Sequence, residues 1–530
     1  MNKRLQLTVT SLLVSIVTLS QPLLADTVSH LVGEKPSSNF LILTGEKEGD
    51  STDSQASTLS KEALRFTLQH RFNGGAPLAK ETVEIPFDKF GDNPLVFFES
   101  LKQNFSKHLE KQKKPVEIDT ELDFLQPGEM TQVLGNLPKV SIKTKIDSNG
   151  AGKSDWVFPA YRRELSEKSG KGLIDWKGLT SQFTFTENFE NLTTVLNIAG
   201  FVLKTPDKVA VSLSLGNTTF KGAFDANLMP TEVDLNLPLF EMREGDKNLL
   251  SLQNLTTLFN TQTTSKGLDL NQLKFKIGHL DFGEKGNQGS LDGLAVAIDA
   301  KEQEGVINYS LQTQIDKLEP PTEITLGEKL AINWIGNLDF IRLDADALLT
   351  LQTTARQLQK NPMMSMALIG KFMEVAPKLV AKSPGMALTQ LTVKTPKGNL
   401  QGTFDISLDL KKITPKVIAL EIPALIQAVL AKADFTINKS LLEYALTVVI
   451  NHDLQKMAKL YGKSEAELAQ LQQEAEKASK QQISMFIMMK LLVEAGENYQ
   501  LIAEFKGSKL ILNGQEMSLP FGGYQKAPAK

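Results

Sequence analysis

Val209-Ala-Val-Ser-Leu-Ser-Leu215 and Val233-Asp-Leu-Asn-Leu-Pro-Leu239 are the two stretches that decide the fold class. In both, every second residue is aliphatic, and the residues between them are mostly small or polar. Because successive side chains of a strand point to opposite faces, this alternation predicts strands with one apolar and one polar face.

The same alternation recurs further along the chain, in Leu273–Ile277, Ile307–Leu311 and Leu400–Leu410. Turn residues separate these segments, as in Gly286–Gly289 and Pro396–Gly398. Half-buried strands joined by short turns are typical of antiparallel meanders. A doubly wound nucleotide-binding fold, which needs a parallel sheet, is therefore disfavoured.

Apolar residues at three- and four-residue spacing, together with capping signals, predict the helices. The first predicted helix is Pro94–Gln112, and the second is Leu343–Lys360 with a continuation beyond Pro362. A third helical block starts near Lys439 and contains the capping box Ser464–Glu467. This block ends in Ile483–Val493, which is apolar nearly all round. Asp344 and Asp346 suit a helix N-terminus better than an acid–base pair. Asn513-Gly514 predicts a closing hairpin.

Together these elements predict a β-rich α+β fold, with long antiparallel meandering sheets in two related lobes and helices covering one face. A short internal echo, Ile174-Asp-Trp-Lys-Gly178 against Ile332-Asn-Trp-Ile-Gly336, is the signal that the lobes are related. The predicted organisation is a signal peptide or N-terminal membrane anchor (1–25), a loosely ordered leader (26–60), an N-terminal segment with an amphipathic helix (61–139), a first β-rich lobe (140–342) and a second lobe with helices and the closing hairpin (343–530).

The first 25 residues have the three-part layout of a secretory signal peptide. Lys3 and Arg4 carry positive charge, Leu5–Ser20 is uncharged, and Gln21–Ala25 ends on a small residue. A bilayer-spanning helix needs about 20 mainly apolar residues, and this run is shorter and diluted by Ser and Thr. The segment predicts export to the periplasm, with cleavage after Ala25 favoured over retention as an inner-membrane anchor.

Composition excludes several classes of site. The chain has 530 residues, with 58 basic and 61 acidic side chains, so no strong positive field draws it to nucleic acid. Cysteine is absent, which excludes disulfides, thiolate metal sites and a cysteine nucleophile. We therefore expect no nucleic-acid partner.

Asp147-Ser-Asn-Gly-Ala-Gly-Lys-Ser154 resembles a phosphate-binding P-loop. That motif needs glycine at its first position and a helix directly after it. Here Asp147 stands at the first position, and Asp155-Trp-Val-Phe-Pro159 is typical of extended backbone because of its proline. We predict a hairpin turn and no nucleotide site.

No local pattern identifies catalytic, cofactor or metal residues. The five histidines, His30, His70, His108, His279 and His452, lack the spacing that would bring two metal ligands onto one helix face. There is no Gly-x-Ser-x-Gly motif to support a hydrolase serine. The sequence thus predicts a non-enzymatic protein without a cofactor.

Two groups of residues are candidates for binding. Methionines fill irregular cores, but they also line surfaces that accept varied apolar partners. The candidate apolar surface comprises Met363, Met364, Met366, Phe372, Met373, Met485, Phe486, Met488 and Met489. Arg162 and Arg163 are candidates for contact with an anion such as a phosphate or a phospholipid headgroup, with a structural salt bridge as the alternative.

An ordered set of short motifs extends over most of the chain. The set is Ile174-Asp-Trp-Lys-Gly-Leu179, Leu326-Gly327, Leu343-Asp344 followed by Ala347-Leu348, Thr395-Pro-Lys-Gly398, and Leu510-Ile-Leu-Asn-Gly514. On these residues the chain resembles, from about Val140 to Phe521, the YdgA-like family, envelope proteins of Gram-negative bacteria regarded as a domain of unknown function. The resemblance implies a periplasmic or inner-membrane-associated protein that self-associates, and it supplies no catalytic residue.

The functional expectation is an exported envelope protein that binds an apolar ligand or partner, either lipid or protein, on a surface of sheet and helices. One alternative is a periplasmic hydrolase whose active site is dispersed along the chain. The other is a purely structural homo-oligomer, in which Ile483–Val493 packs against its copy.

Overall fold

The computed structural model describes residues 63–517 apart from 87–88, 90–95, 97–99, 101–102, 105–106, 109–111, 126–134, 168–169, 188–190, 208, 227–228, 285–286, 361–364 and 461–464. The predicted signal peptide or anchor (1–25) and the leader (26–60) lie outside the described residues, as do Met363 and Met364.

The described chain forms two compact units. The first takes the residues up to Leu213 and a short return from Phe224, and the second takes Ser214–Ala223 and the chain from Met229 onward. The predicted lobe boundary at residue 342 differs from this division. It falls inside the second unit, because the sheet continues on both sides of the helices that begin there.

The first unit contains ten strands. They are β1 (Ala63–Phe72), β2 (Glu81–Pro86), β3 (Val116–Leu125), β4 (Val140–Ile146), β5 (Gly152–Phe158), β6 (Tyr161–Glu167), β7 (Gly170–Trp176), β8 (Leu179–Phe185), β9 (Leu192–Ile198) and β10 (Phe201–Lys204). Antiparallel pairing orders them β2-β1-β3-β4-β5-β8-β9, with a separate ladder β6-β7-β10.

Alternation gives the first unit a dry core. Phe66 and Leu68 of β1 and Ile142 of β4 are fully buried, and they pack with Ile85 and Leu122 from the neighbouring strands. The predicted helix at 94–112 agrees with the structure where it is described, since residues 96, 100, 103, 104, 107 and 108 are helical.

The remaining strands run from residue 211 to residue 517. They are β11 (Val211–Leu215), β12 (Thr218–Phe224), β13 (Pro230–Glu244), β14 (Lys247–Thr263), β15 (Asp269–Glu284), β16 (Asn287–Gln303), β17 (Val306–Glu319), β18 (Ile332–Asp344), β19 (Gly385–Thr395), β20 (Gly398–Leu408), β21 (Val429–Asn438), β22 (Val493–Ala495), β23 (Asn498–Lys506), β24 (Lys509–Leu512) and β25 (Gln515–Met517). The helices are α1 (Ala345–Lys360), α2 (Ser365–Ala381), α3 (Pro415–Ile418), α4 (Ile422–Ala428), α5 (Lys439–Leu460) and α6 (Glu465–Met488).

The second unit is an antiparallel meander of long strands. Each strand from β13 to β21 pairs with the next one along the chain, and β23 continues the sheet beyond β21. β14 and β16 each have 17 residues. The predicted β-rich antiparallel architecture is confirmed.

Helices enter this meander at strand ends. The pair α1 and α2 connects β18 to β19, and α3 and α4 connect β20 to β21, so both pairs lie at one end of the strands. The long pair α5 and α6 follows β21 and lies at the other end. The prediction that helices cover one face of the sheets, and that the two lobes are related, is not confirmed.

Helix ends follow local chemistry. The Asp344 carboxylate accepts a hydrogen bond from the Ala347 amide at 2.8 Å, so it caps α1 as the sequence predicts. By contrast, the last helix is shorter than predicted, since the sequence predicts that it continues to Val493. It ends at Met488 because Lys490 adopts φ 59°, and the Leu491 amide donates back to the Phe486 carbonyl at 2.9 Å. Among the described residues, no helix has the length and apolarity needed to cross a membrane.

Candidate apolar binding site

One side chain from each main strand of the second unit forms a continuous apolar row across the sheet. We call it the apolar ladder, and its members, in register from strand to strand, are Val233, Phe259, Leu273, Ile298, Leu311, Leu338, Leu388, Phe404, Ala433, Ala503 and Leu512. Neighbouring strands lie about 4.8 Å apart, so the row runs for roughly 50 Å.

Burial varies along the apolar ladder. Val233 and Phe259 at one end and Leu512 at the other are each 6 % exposed, whereas all the members from Leu273 to Ala503 are only half-buried. The core residues Phe66 and Ile142 of the first unit are 0 % exposed. The middle of the apolar ladder is therefore reached by solvent, although its chemistry is that of a core.

The adjacent row of side chains points to the opposite face and is mainly polar. Its members are Asp299, Ser310, Asp339, Ala387, Asp405, Lys432, Glu504 and Ile511. Since a shift of one residue exchanges the two faces, this contrast fixes the strand register. One face of the sheet can therefore bind an apolar molecule while the other face contacts solvent.

Two glycines lie under aromatic rings on the apolar face. Gly402 of β20 pairs with Phe435 of β21, whose ring occupies the space above the glycine. Gly336 of β18 lies beneath Trp334, whose indole N–H donates to the Thr313 hydroxyl at 2.8 Å. Because the rings occupy the space above the glycines, they add apolar surface to this face close to the backbone.

At one end of the strands, α1 and α2 form a cleft with the sheet. Its volume is about 400 Å³, and it is lined by Leu268, Tyr309, Leu348, Leu351, Gln352, Ala355 and Phe372. This volume falls within the range of about 300–1,000 Å³ that is usual for small-molecule sites. Six of these residues present carbon surface, so the cleft favours an apolar occupant.

Gln352 connects α1 to Asp269, the first residue of β15. Its amide accepts a hydrogen bond from the Asp269 backbone N–H and donates one to the Asp269 carbonyl, each at 3.0 Å. This double hydrogen bond fixes Leu268, the residue before Asp269, at the wall of the cleft. Gln352 therefore shapes the cleft, because these two hydrogen bonds connect α1 to the start of β15.

Two ion pairs connect residues next to those that line the cleft. Lys266 pairs with Asp346 at 2.7 Å, and Arg356 pairs with Asp269. The hydrogen bond from Lys266 holds the pKa of the Asp346 carboxyl below its ordinary value. The cleft thus has an apolar interior and a charged rim, which is an arrangement suited to an amphiphile.

The structure separates the predicted apolar-surface residues into two places. Phe372 lines the cleft and is 50 % exposed, and Met373 beside it is 59 % exposed. Met485, Met488 and Met489 are exposed, and Phe486 is half-buried, but they lie at the opposite end of the strands. Met366 lies in α2, and nothing is described of its side chain.

The predicted anion contacts, Arg162 and Arg163, lie on β6 in the first unit. Arg162 is 3.8 Å from the Asp175 carboxylate, and the guanidinium of Arg163 lies against Gly135. Both side chains are thus engaged within the first unit.

A chain of polar side chains crosses the core of the first unit. Buried His70 contacts the Thr120 hydroxyl at 2.8 Å and the Asn104 side-chain oxygen at 2.7 Å. Asn104 donates to Glu81 at 2.7 Å, and His108 contacts the other oxygen of Glu81 at 2.8 Å. Burial lowers the pKa of His70, which favours the neutral form of this histidine.

The P-loop look-alike is a hairpin turn, as predicted. Ile146 of β4 pairs with Gly152 of β5, and the Asp147 amide donates to the Ala151 carbonyl at 2.8 Å. Among the described residues, no group of His, Asp and Glu side chains is arranged to hold a metal ion.

Sequence reasoning missed the apolar ladder as a surface and missed the cleft. The alternating strands were recognisable, but the exposure of their apolar face depends on what packs against it. Tyr309 was recognisable only as part of the strand Ile307–Leu311. Its place in the same cleft as Phe372 follows from the tertiary fold, since more than 60 residues separate the two in the chain.

Comparison with known proteins gives one result. A family profile described as a bacterial protein of unknown function (DUF945) matches residues 128–232 and 215–520. No curated protein and no solved structure matches the chain. Because the two matched segments cover most of the sequence, the chain belongs to this family of bacterial proteins of unknown function.

Proposed function

We propose that this protein is an exported, non-enzymatic protein of the bacterial envelope that binds the hydrocarbon chain of a lipid along the apolar ladder. The observation that supports this proposal is the half-buried middle of the ladder, from Leu273 to Ala503. The resemblance to YdgA-like envelope proteins and the signal-like N-terminus favour a periplasmic location, free or held at the inner membrane.

The backbone of the sheet favours a lipid over a protein strand. Each interior strand, such as β18 or β20, is already paired on both sides. A peptide gains affinity for a sheet mainly by adding backbone hydrogen bonds at a free edge. The face of the sheet offers only apolar side-chain contact, which is the contact that a hydrocarbon chain can use.

A pair of variants on opposite faces of β18 tests the proposal. Leu338→Glu places a charge on the apolar ladder, whereas Asn337→Glu places the same charge on the polar face. We expect the purified protein to bind a dansyl-labelled fatty acid, with about a tenfold or greater loss in Leu338→Glu, since an ionised group in an apolar site is strongly unfavourable.

Asn337→Glu should bind the probe like the wild type. Circular dichroism checks that both variants are folded, and Leu388→Gln supplies a milder second change on the neighbouring strand. Equal binding by Leu338→Glu, Asn337→Glu and the wild type would show that the probe does not use the apolar ladder.

A further inference from the structure

The cleft between α1, α2 and the sheet is continuous with the apolar ladder. Tyr309 lines the cleft, and Leu311, two residues further along β17, is a member of the ladder. Residues two apart in a strand lie on the same face. On the next strand Phe340 pairs with Tyr309, and Leu338 pairs with Leu311. An apolar molecule in the cleft therefore lies next to the middle of the ladder, at Leu311 and Leu338.

The Tyr309 hydroxyl is the polar group of the cleft that is not engaged elsewhere. Among the described residues it has no hydrogen-bond partner, whereas the side-chain amide of Gln352 accepts one hydrogen bond from the Asp269 backbone and donates one to it. Burial alone raises the pKa of Tyr309, so it is a neutral donor. Tyr444, at the other end of the strands, instead donates to the Thr325 carbonyl at 2.9 Å.

A buried or half-buried phenol usually finds an acceptor. An occupant that displaces water from the cleft must supply that acceptor, because the neighbouring lining residues Leu348, Leu351 and Phe372 present only carbon. An oxygen at one end of a hydrocarbon chain meets this requirement while the chain extends onto the ladder.

We propose that the cleft binds the oxygen-bearing end of an acyl chain, with the Tyr309 hydroxyl donating a hydrogen bond to the acyl carbonyl or carboxylate oxygen. This inference rests on the proposed function, since it names where a bound lipid chain begins. It makes Tyr309 a specificity residue, one that selects acyl compounds over hydrocarbon chains without an acceptor.

The test uses the absence of cysteine from the chain. Ala355→Cys places a single thiol in the cleft, and an environment-sensitive fluorophore on it reports occupancy of this site. Three ligands share a ten-carbon chain: decanoate has a carboxylate, methyl decanoate has an ester carbonyl, and decylammonium has no acceptor. Binding of each is measured with and without Tyr309→Phe, which removes only the hydroxyl.

We expect Tyr309→Phe to weaken decanoate or methyl decanoate about fivefold, as for loss of one hydrogen bond. Decylammonium binding should be unchanged. An effect on both acceptor ligands would indicate acyl esters as the natural class, and an effect on decanoate alone would indicate free acids. Tyr444→Phe, at the far end of the strands, should change none of the three.

Equal effects of Tyr309→Phe on all three ligands, or no effect on any, would overturn the inference. So would a fluorophore at residue 355 that does not respond to decanoate. If Leu338→Glu still abolished binding of the dansyl-labelled fatty acid in those cases, the ladder would remain a binding surface and only the role of the cleft would be wrong.

Discussion

Glycines opposite phenylalanines recur in the sheets of both units. Gly152 pairs with Phe185, Gly289 with Phe282, and Gly402 with Phe435. In each pair the phenylalanine ring fills the space that a larger residue in place of the glycine would need for its side chain. A glycine inside a strand weakens it, but it permits the close approach of a ring from the neighbouring strand. In the second unit, the glycines thus allow the rings on the apolar face to lie close to the backbone.

Gly402→Ala should destabilise the second unit. The added methyl group overlaps the Phe435 ring, which must move, and overpacking of this kind costs about 1–3 kcal/mol. The urea midpoint should fall accordingly. Gly370→Ala in α2 is the matched control: nothing lies within 4 Å of the new methyl group, and alanine favours a helix, so the midpoint should hold or rise.

His70 predicts how the first unit responds to pH. Its pKa in the folded protein is below the ordinary value of 6.5, chiefly because of burial. The unfolded chain therefore binds more protons as the pH falls below 6.5, and the stability of the first unit should decrease from there downward. Above pH 6.5 this contribution should be constant.

Tryptophan fluorescence can follow this change in the first unit alone. The chain has three tryptophans, of which Trp156 and Trp176 lie in the first unit, so a Trp334→Phe background removes the signal of the second. His70→Gln in that background should flatten the dependence of the urea midpoint between pH 5 and pH 7. An unchanged slope would assign the dependence to other groups.

At the scale of elements, alternation and capping predicted much of what the structure contains. Lys509–Leu512 is a strand with the residues predicted, and the Asn513-Gly514 turn has the positive φ values that a tight hairpin requires. The lengths of the long strands were not predictable, because bulges such as the one at Met242 and Arg243 interrupt the period without ending the strand. The end of α6 was missed because Lys490 takes the position where glycine is usual.

The cap of α1 provides a test at this scale. Asp344→Ala removes the acceptor of the Ala347 amide at a buried helix start, and such caps are worth about 1 kcal/mol. We expect a lower urea midpoint, and weaker fatty-acid binding because α1 forms one wall of the cleft. Asp346→Ala breaks an exposed ion pair with Lys266 and removes a negative charge from the first turn of α1, but it leaves the cap in place, so its effect on the midpoint should be smaller. An equal effect of the two variants would contradict the capping role.

At the scale of the whole molecule, the two units use alternating strands differently. The first unit has a completely buried apolar cluster around Phe66 and Ile142, while the second leaves the middle of the apolar ladder half-buried. A protein whose only need was stability would cover such a row, since each buried aliphatic side chain adds about 1.5–3 kcal/mol. The half-buried ladder is therefore the feature that our account assigns to function.

The most direct test is native mass spectrometry of the protein isolated without detergent from the bacterium that produces it. We expect the wild type and Asn337→Glu to carry the additional mass of a lipid, and Leu338→Glu to be free of it. Wild-type protein that appears only as a bare monomer, as a homo-oligomer without lipid, or with a partner chain in place of lipid would contradict the account.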